Sequence, residues 1–153
     1  MLLKTGDTAP NFSLMNQDGD IVSLENLRGK KVLLWFYPKA NTPGWTVEGE
    51  GLRDEFKTFQ ENSVEILGIS ADSVKAQKSF CEKKDFPFSL LSDESKDTIK
   101  AYGAWGFKKF MGREYEGIYR YSYLIDENGT IEQVYSKVNT KTHAKDVLED
   151  LVK

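Results

Sequence analysis

One cysteine, Cys81, and one histidine, His143, stand in a chain of 153 residues. So small a set cannot assemble a Cys/His zinc site, hold an iron–sulfur cluster or close a disulfide within the chain. Long apolar runs are missing as well: the longest, residues 32–37, falls far short of the roughly 18 residues that cross a bilayer. The start, Met1-Leu2-Leu3-Lys4-Thr5-Gly6, lacks the apolar core and cleavage site of a signal peptide, so a cytoplasmic location is expected. Charge of one sign is scarce, with 21 Lys plus Arg against 24 Asp plus Glu and a formal net charge of −3. Neither nucleic acid nor a membrane is therefore an expected partner. The acidic residues are scattered and form no Asp-x-Asp-x-Asp-Gly loop, so no metal is expected. Gly44, Gly49 and Gly51 match no Gly-x-Gly-x-x-Gly or Walker pattern, which leaves no phosphate cradle. Their expected effect is a loosened first helical turn.

What is present suits one globular domain over residues 1–153. Hydrophobic residues make up 39% of the chain, and 9 Phe, 7 Tyr and 3 Trp supply bulk for a sizeable core. Residues 12–14 and 21–24 flank Asn16-Gln17-Asp18-Gly19 and predict an N-terminal hairpin. Residues 32–37, Val-Leu-Leu-Trp-Phe-Tyr, read as a central strand buried on both faces and stopped at Pro38. After the loop 39–43, Leu52, Phe56 and Phe59 lie on one stripe of a helix running to about residue 61. A strand over 64–69 and a helix over 73–84 with Ser73 as N-cap follow. Residues 88–91 read as a short strand, and 97–102 as a short helix.

The runs 118–125 and 131–135 enclose Asp126-Glu127-Asn128-Gly129 as a hairpin. A last helix has Thr140 as its N-cap and Ala144, Val147, Leu148 and Leu151 on one face. The order βαβα then ββα is the α/β thioredoxin-like arrangement, a mixed central sheet flanked by helices. The stretch Phe107-Lys108-Lys109-Phe110-Met111-Gly112-Arg113 interleaves base with aromatic and reads as a solvated loop. His143 reads as a polar surface residue without a role.

In such a fold the loop between a central strand and a helix N-terminus favours negative charge, because free backbone N–H groups and the helix dipole face it. Here that loop is Pro38-Lys39-Ala40-Asn41-Thr42-Pro43-Gly44-Trp45-Thr46-Val47-Glu48. From Phe36 through Gly44 it resembles the active-site loop of peroxiredoxins of the Q type, the bacterioferritin-comigratory subfamily, whose pattern is Pro-x-x-x-Thr/Ser-x-x-Cys. The resemblance extends to Tyr102-Gly103-Ala104-Trp105-Gly106, to residues 117–126 and to residues 143–148. It implies a peroxidase that reduces hydrogen peroxide and organic hydroperoxides, takes electrons from a thioredoxin-like reductant, needs no cofactor and works as a monomer.

By that resemblance Pro38 shields the nucleophile, Thr42 hydrogen-bonds the peroxide and Arg120 polarises it. Taken singly, each has a plainer reading: Pro38 ends a strand, Thr42 sits in a loop or caps a helix, and Arg120 makes a surface ion pair. Their occurrence together, in the family's order, favours the functional one. Cys81 resembles the resolving cysteine of some members, while its plainer reading is a small core residue. The family's other resolving position, five residues after the nucleophile, is Glu50 here.

The family's peroxide-attacking cysteine falls on Trp45, and an indole cannot form a sulfenic acid. The chain as it stands is expected to be inactive, and Cys81 has no partner cysteine in the molecule. Two readings of Trp45 stay open. In one, the natural product is a thiol or selenol peroxidase and Trp45 is an engineered or decoding substitution, since Cys (UGU, UGC), Trp (UGG) and the opal codon UGA differ by one base. In the other, the chain is a natural pseudoenzyme whose pocket Trp45 plugs. An indole in a space shaped for a thiol is expected to cost about 1–3 kcal/mol unless it turns outward.

Overall fold

A computed structural model describes residues 2–38, 43–110, 112–136 and 142–151, with the backbone alone for 43–46, 48 and 110. Nine strands and five α-helices follow one another among these residues. The N-terminal hairpin is β1 (Ser13–Met15) and β2 (Ile21–Ser23), tied by the Asn16 side chain, whose Oδ1 accepts from the N–H groups of Asp18 and Asp20. A single 3-10 turn over Glu25–Leu27 leads to β3 (Lys31–Phe36), then α1 (Pro43–Asp54) and α2 (Phe56–Glu61). Next come β4 (Val64–Ser70), α3 (Val74–Lys84), β5 (Ser89–Ser92) and α4 (Asp97–Ala101). β6 (Trp105–Phe110), β7 (Arg113–Ile118), β8 (Ser122–Ile125), β9 (Ile131–Tyr135) and α5 (His143–Leu151) complete the order.

Seven strands form one mixed sheet in the order β2-β1-β5-β4-β3-β8-β9. β3, β4 and β5 are parallel, whereas β1 runs antiparallel to β5 and β8 antiparallel to β3. The run that begins at Val32 alternates between two core layers, as a strand buried on both faces must. Val32, Leu34 and Phe36 join Leu67, Ile69, Ile99, Tyr102 and Tyr123 on one side. Leu33, Trp35 and Tyr37 join Leu52, Phe59, Phe80 and Val147 on the other, so that α1, α2, α3 and α5 cover this face and α4 the opposite one. The thioredoxin-like α/β arrangement expected from the sequence is the one observed.

Four expectations need correction. The helix expected to run to residue 61 breaks at Glu55, whose φ of −102° and ψ of 8° leave the helical region and separate α1 from α2. The single strand expected over 118–125 is two: Ile118 ends β7, and β8 begins at Ser122. Of the stretch 107–113, read as a solvated loop, residues 107–110 and Arg113 belong instead to an antiparallel hairpin in which Trp105 pairs with Ile118 and Phe110 with Arg113. This hairpin forms a separate two-stranded sheet, held toward α4 by the ammonium groups of Lys96 and Lys100, 5.4 and 6.0 Å from the Trp105 ring centroid.

The fourth concerns His143, which is 2% exposed and not a surface residue. Its Nε2 lies 3.0 Å from Ser122 Oγ, and its ring meets Tyr135 edge to face. Ser73 caps α3 as expected, its side chain accepting from the Ala76 N–H at 3.2 Å. The expected N-cap Thr140 lies outside the described residues.

Candidate active site

The end of β3 is where the candidate residues gather. Tyr37, fully buried, donates its N–H to the Ile69 carbonyl, and Pro38 follows it, half-buried. On the other side of β3, Trp35 pairs with Ser122 and the Phe36 N–H donates to Tyr121 O at 2.9 Å. Arg120, half-buried in the connection from β7 to β8, is thereby brought to the same end of the sheet as Pro38. Its charge is felt at Lys108, whose ammonium is held below its ordinary range first by burial and then by Arg120.

The chain re-enters regular structure at Pro43, the first residue of α1. Proline suits that position, since its missing N–H would have no helical partner there. Trp45 lies in the first turn, so its backbone stands among the N–H groups that a helix leaves free at this end. Thr42 and the side chain of Trp45 lie outside the described residues, and with them the expected cost of accommodating the indole.

One turn further along α1, Gly49 has a definite packing role. A Cβ built there would lie 2.5 Å from Phe86 Cζ and 3.1 Å from Trp35 Cη2, so the helix approaches the aromatic layer more closely than a side chain allows. The expectation that this glycine serves to loosen the helix gives way to one of close approach. Gly51 faces Ala144 of α5 at an ordinary distance.

Cys81 sits on α3 in the core layer beneath α1, 8% exposed. Its thiol donates to Phe86 O at 3.2 Å and lies 3.8 Å from Phe88 O, while Nε2 of Gln17 donates to the sulfur at 3.5 Å. Gln17 in turn accepts from the Leu90 N–H at 2.9 Å, so the first hairpin, β5 and α3 meet at this residue. Burial, followed by the nearby charges of Asp18 and Glu82, pushes the Cys81 thiol up to about 11. A hollow of about 340 Å³ opens beside it, lined by Gln17, Asp18, Lys78, Glu82 and Phe86 among others. The surroundings preserve a protonated thiol, the reverse of what activates a nucleophile.

The described residues hold two further features that the sequence reading passed over. The buried pair His143 and Ser122 links the start of α5 to β8, two residues from Arg120. A second buried polar chain, through Tyr37, Gln77 and Ser70, begins at the residue before Pro38. The first had a legible signal: His143 precedes Val147 and Leu151 by one and two turns, on the apolar stripe itself. The second had none, because Gln77 is a polar residue on a helix with ample solvent-facing positions.

Comparison with known proteins agrees with this geometry. Residues 5–134 match the model of the AhpC/TSA family. The chain is 48% identical over 149 residues to the putative peroxiredoxin bcp of Haemophilus influenzae, covering 97% of this chain and 96% of that one. A crystal structure of a cysteine-to-serine mutant of Xylella fastidiosa PrxQ superposes with a TM-score of 0.93 at 32% identity, over 99% and 97% of the two chains. A Xanthomonas campestris bacterioferritin comigratory protein, described in terms of its alkyl peroxide reduction activity, superposes with a TM-score of 0.87 at 33% identity, over 92% and 90%. With family match, sequence identity and backbone in agreement over nearly its whole length, the chain belongs to the AhpC/TSA family and, within it, to the Bcp or PrxQ peroxiredoxins.

Proposed function

We propose that this chain is the framework of a monomeric, cytoplasmic hydroperoxide-reducing peroxidase, supplied with electrons by a thioredoxin-like reductant, in which residue 45 is the seat of the attacking thiol or selenol. The framework is a peroxiredoxin's; the residue roles are our assignment. In this reading Pro38 screens the site from water, Thr42 and Arg120 hold the two peroxide oxygens, and α1 offers its free N–H groups to the nucleophile's negative charge. The nucleophile attacks one peroxide oxygen, the O–O bond breaks, and the other oxygen leaves as water or an alcohol after taking up a proton. Arg120 stabilises charge on the departing oxygen. The Cys81 thiol then attacks the sulfenic or selenenic centre so formed, making a disulfide or selenosulfide while the hydroxyl of that centre leaves as water, and two electrons from the external reductant restore both groups.

A single observation carries the corollary that the Trp45 form is inactive. The only thiol in the sequence is Cys81, and it is buried, hydrogen-bonded to a carbonyl and pushed up to about 11. With such a value only about one thiol in ten thousand is ionised at neutral pH, so Cys81 does not replace the missing nucleophile.

Peroxide consumption coupled to thioredoxin, run on the chain as it stands and on Trp45→Cys, tests the reading. Turnover by Trp45→Cys alone supports it, and Arg120→Ala in that background should then abolish most of the activity. Turnover by neither protein would instead favour a pseudoenzyme that keeps the fold for binding. Turnover by the unaltered chain would refute the assignment of residue 45.

A further inference from the structure

Three fully buried polar side chains, Tyr37, Gln77 and Ser70, form one directed chain. The hydroxyl of Tyr37 donates to Oε1 of Gln77. Nε2 of Gln77 donates to Ser70 Oγ at 2.9 Å and to Leu91 O at 2.7 Å. The Ser70 hydroxyl donates to Asp72 Oδ2 at 2.7 Å and accepts from the Asp72 N–H at 3.2 Å. A carbonyl oxygen only accepts, so Leu91 fixes which way round the Gln77 amide lies and turns its oxygen toward the tyrosine. Tyr37, Gln77 and Ser70 are all 0% exposed. Burial also holds the Tyr37 phenol far above its ordinary range, so it remains a donor. Each polar hydrogen of these three side chains is used.

The two ends of this chain belong to different parts of the site. Tyr37 is the residue before Pro38, where the active-site loop leaves the sheet. Gln77 lies one helical turn before Cys81 on the same face of α3. We infer that Gln77 is a positioning residue whose single amide joins the exit of β3 to the helix bearing Cys81, holding the loop at Pro38 and the Cys81 thiol in one arrangement. Without that amide, the Tyr37 hydroxyl and the Leu91 carbonyl lose a partner in a dry interior. Any state that admits water to them is then favoured. Lifting α3 from the sheet does so, and it uncovers Cys81. The catalytic meaning of the link rests on Cys81 as the resolving thiol; the link itself does not.

Because the chain has one cysteine, its alkylation by iodoacetamide reports the opening of α3 directly. Gln77→Leu is expected to accelerate labelling roughly tenfold or more, the effect of losing a buried hydrogen-bond partner. Ile131 lies in the opposite core layer, so Ile131→Val or Ile131→Ala, whichever matches the loss of thermal midpoint, should accelerate it less than about twofold. Equal acceleration by the matched variant, or none by Gln77→Leu, overturns the inference. Tyr37→Phe should itself speed labelling, and Tyr37→Phe combined with Gln77→Leu should be no faster than Gln77→Leu alone, because both cut one link. Multiplication of the two effects overturns it. Should Gln77→Leu not fold, Tyr37→Phe against its own matched Ile131 variant decides the question, an unchanged rate again overturning it. Peroxide enters none of these measurements, so failure here and failure of the proposed peroxidase reading are separate results.

Discussion

Nε2 of His143 and Oγ of Ser122 lie 3.0 Å apart, both closed off from solvent. Since Ser122 stands on β8 and His143 opens α5, the pair fastens the last helix to the sheet near Arg120. Burial pushes the imidazole down to about 4, against a weaker opposing effect of Asp146.

That value fixes the sign of a pH dependence. The unfolded chain binds a proton at His143 near pH 6.5 and the folded chain only near 4, so between these limits the unfolded state holds more protons. The stability due to neutral His143 is complete above about pH 6.5 and is lost as pH falls toward 4, reaching roughly 3 kcal/mol. His143→Gln should flatten this limb of the stability curve, as read from urea midpoints at neutral pH and near pH 4.5. An unchanged slope would show that the imidazole titrates normally.

Cys81 should react slowly and keep accelerating with pH. Raised from 9.0 to about 11, its thiol carries about one hundredth the thiolate of an unperturbed one at mildly alkaline pH. Iodoacetamide labelling of the native protein should rise about tenfold per pH unit without levelling off below pH 10. A plateau near pH 9 would place the sulfur outside its carbonyl-lined seat.

Trp45→Cys should introduce a second thiol of opposite character. At the N-terminal turn of α1 its thiolate is favoured by free N–H groups and the helix dipole, which lowers a thiol from about 8.5 toward about 6.5. Labelling near neutral pH is then expected in two phases, one thiol per molecule fast and one slow, with Cys81→Ala removing only the slow phase. A single slow phase would count against residue 45 as an activating position.

Gly49→Ala should destabilise the protein although alanine favours helices. The helical gain is about 1 kcal/mol, whereas the added methyl meets Phe86 Cζ at 2.5 Å. The ring cannot step aside freely, being packed 4.9 Å from Phe80 and 5.0 Å from Phe88, centroid to centroid. A net loss of about 1–2 kcal/mol in urea unfolding is expected, and a gain would mean that α1 can shift outward at little cost.

The sequence made the centre of the molecule readable and its margins less so. The apolar run at β3 is legible because six large hydrophobes, rich in aromatic residues and stopped at Pro38, are too short for a buried helix and suit a strand covered on both faces. The stripes of α1 and α5 and the cap at Ser73 are similarly local. The hairpin β6–β7 escaped because Trp105-Gly106-Phe107-Lys108-Lys109-Phe110 does not alternate apolar with polar, and because Phe107, 70% exposed, has no core to face. Its stability comes from cross-strand pairs and from the lysines of α4 over Trp105, contacts that no single segment announces. Within the candidate site, Pro38, Arg120 and Cys81 were nameable by family likeness. The partners of Cys81 were not: Gln17 reaches it from 64 residues away, and long-range side-chain bonds leave no periodicity to read.

The sheet order has a consequence for how the chain is made. The hairpin of β1 and β2 is synthesised first but sits beside β5, joined to it in the ladder through the single pair of Met15 with Ser92. As the nascent chain leaves the ribosome, Leu14 and Val22 have no completed sheet edge to dock on until residues 89–92 have emerged. The hairpin is thus made well before the edge it docks on, and a synthesis pause before β5 prolongs the interval in which its apolar side stands open to other chains.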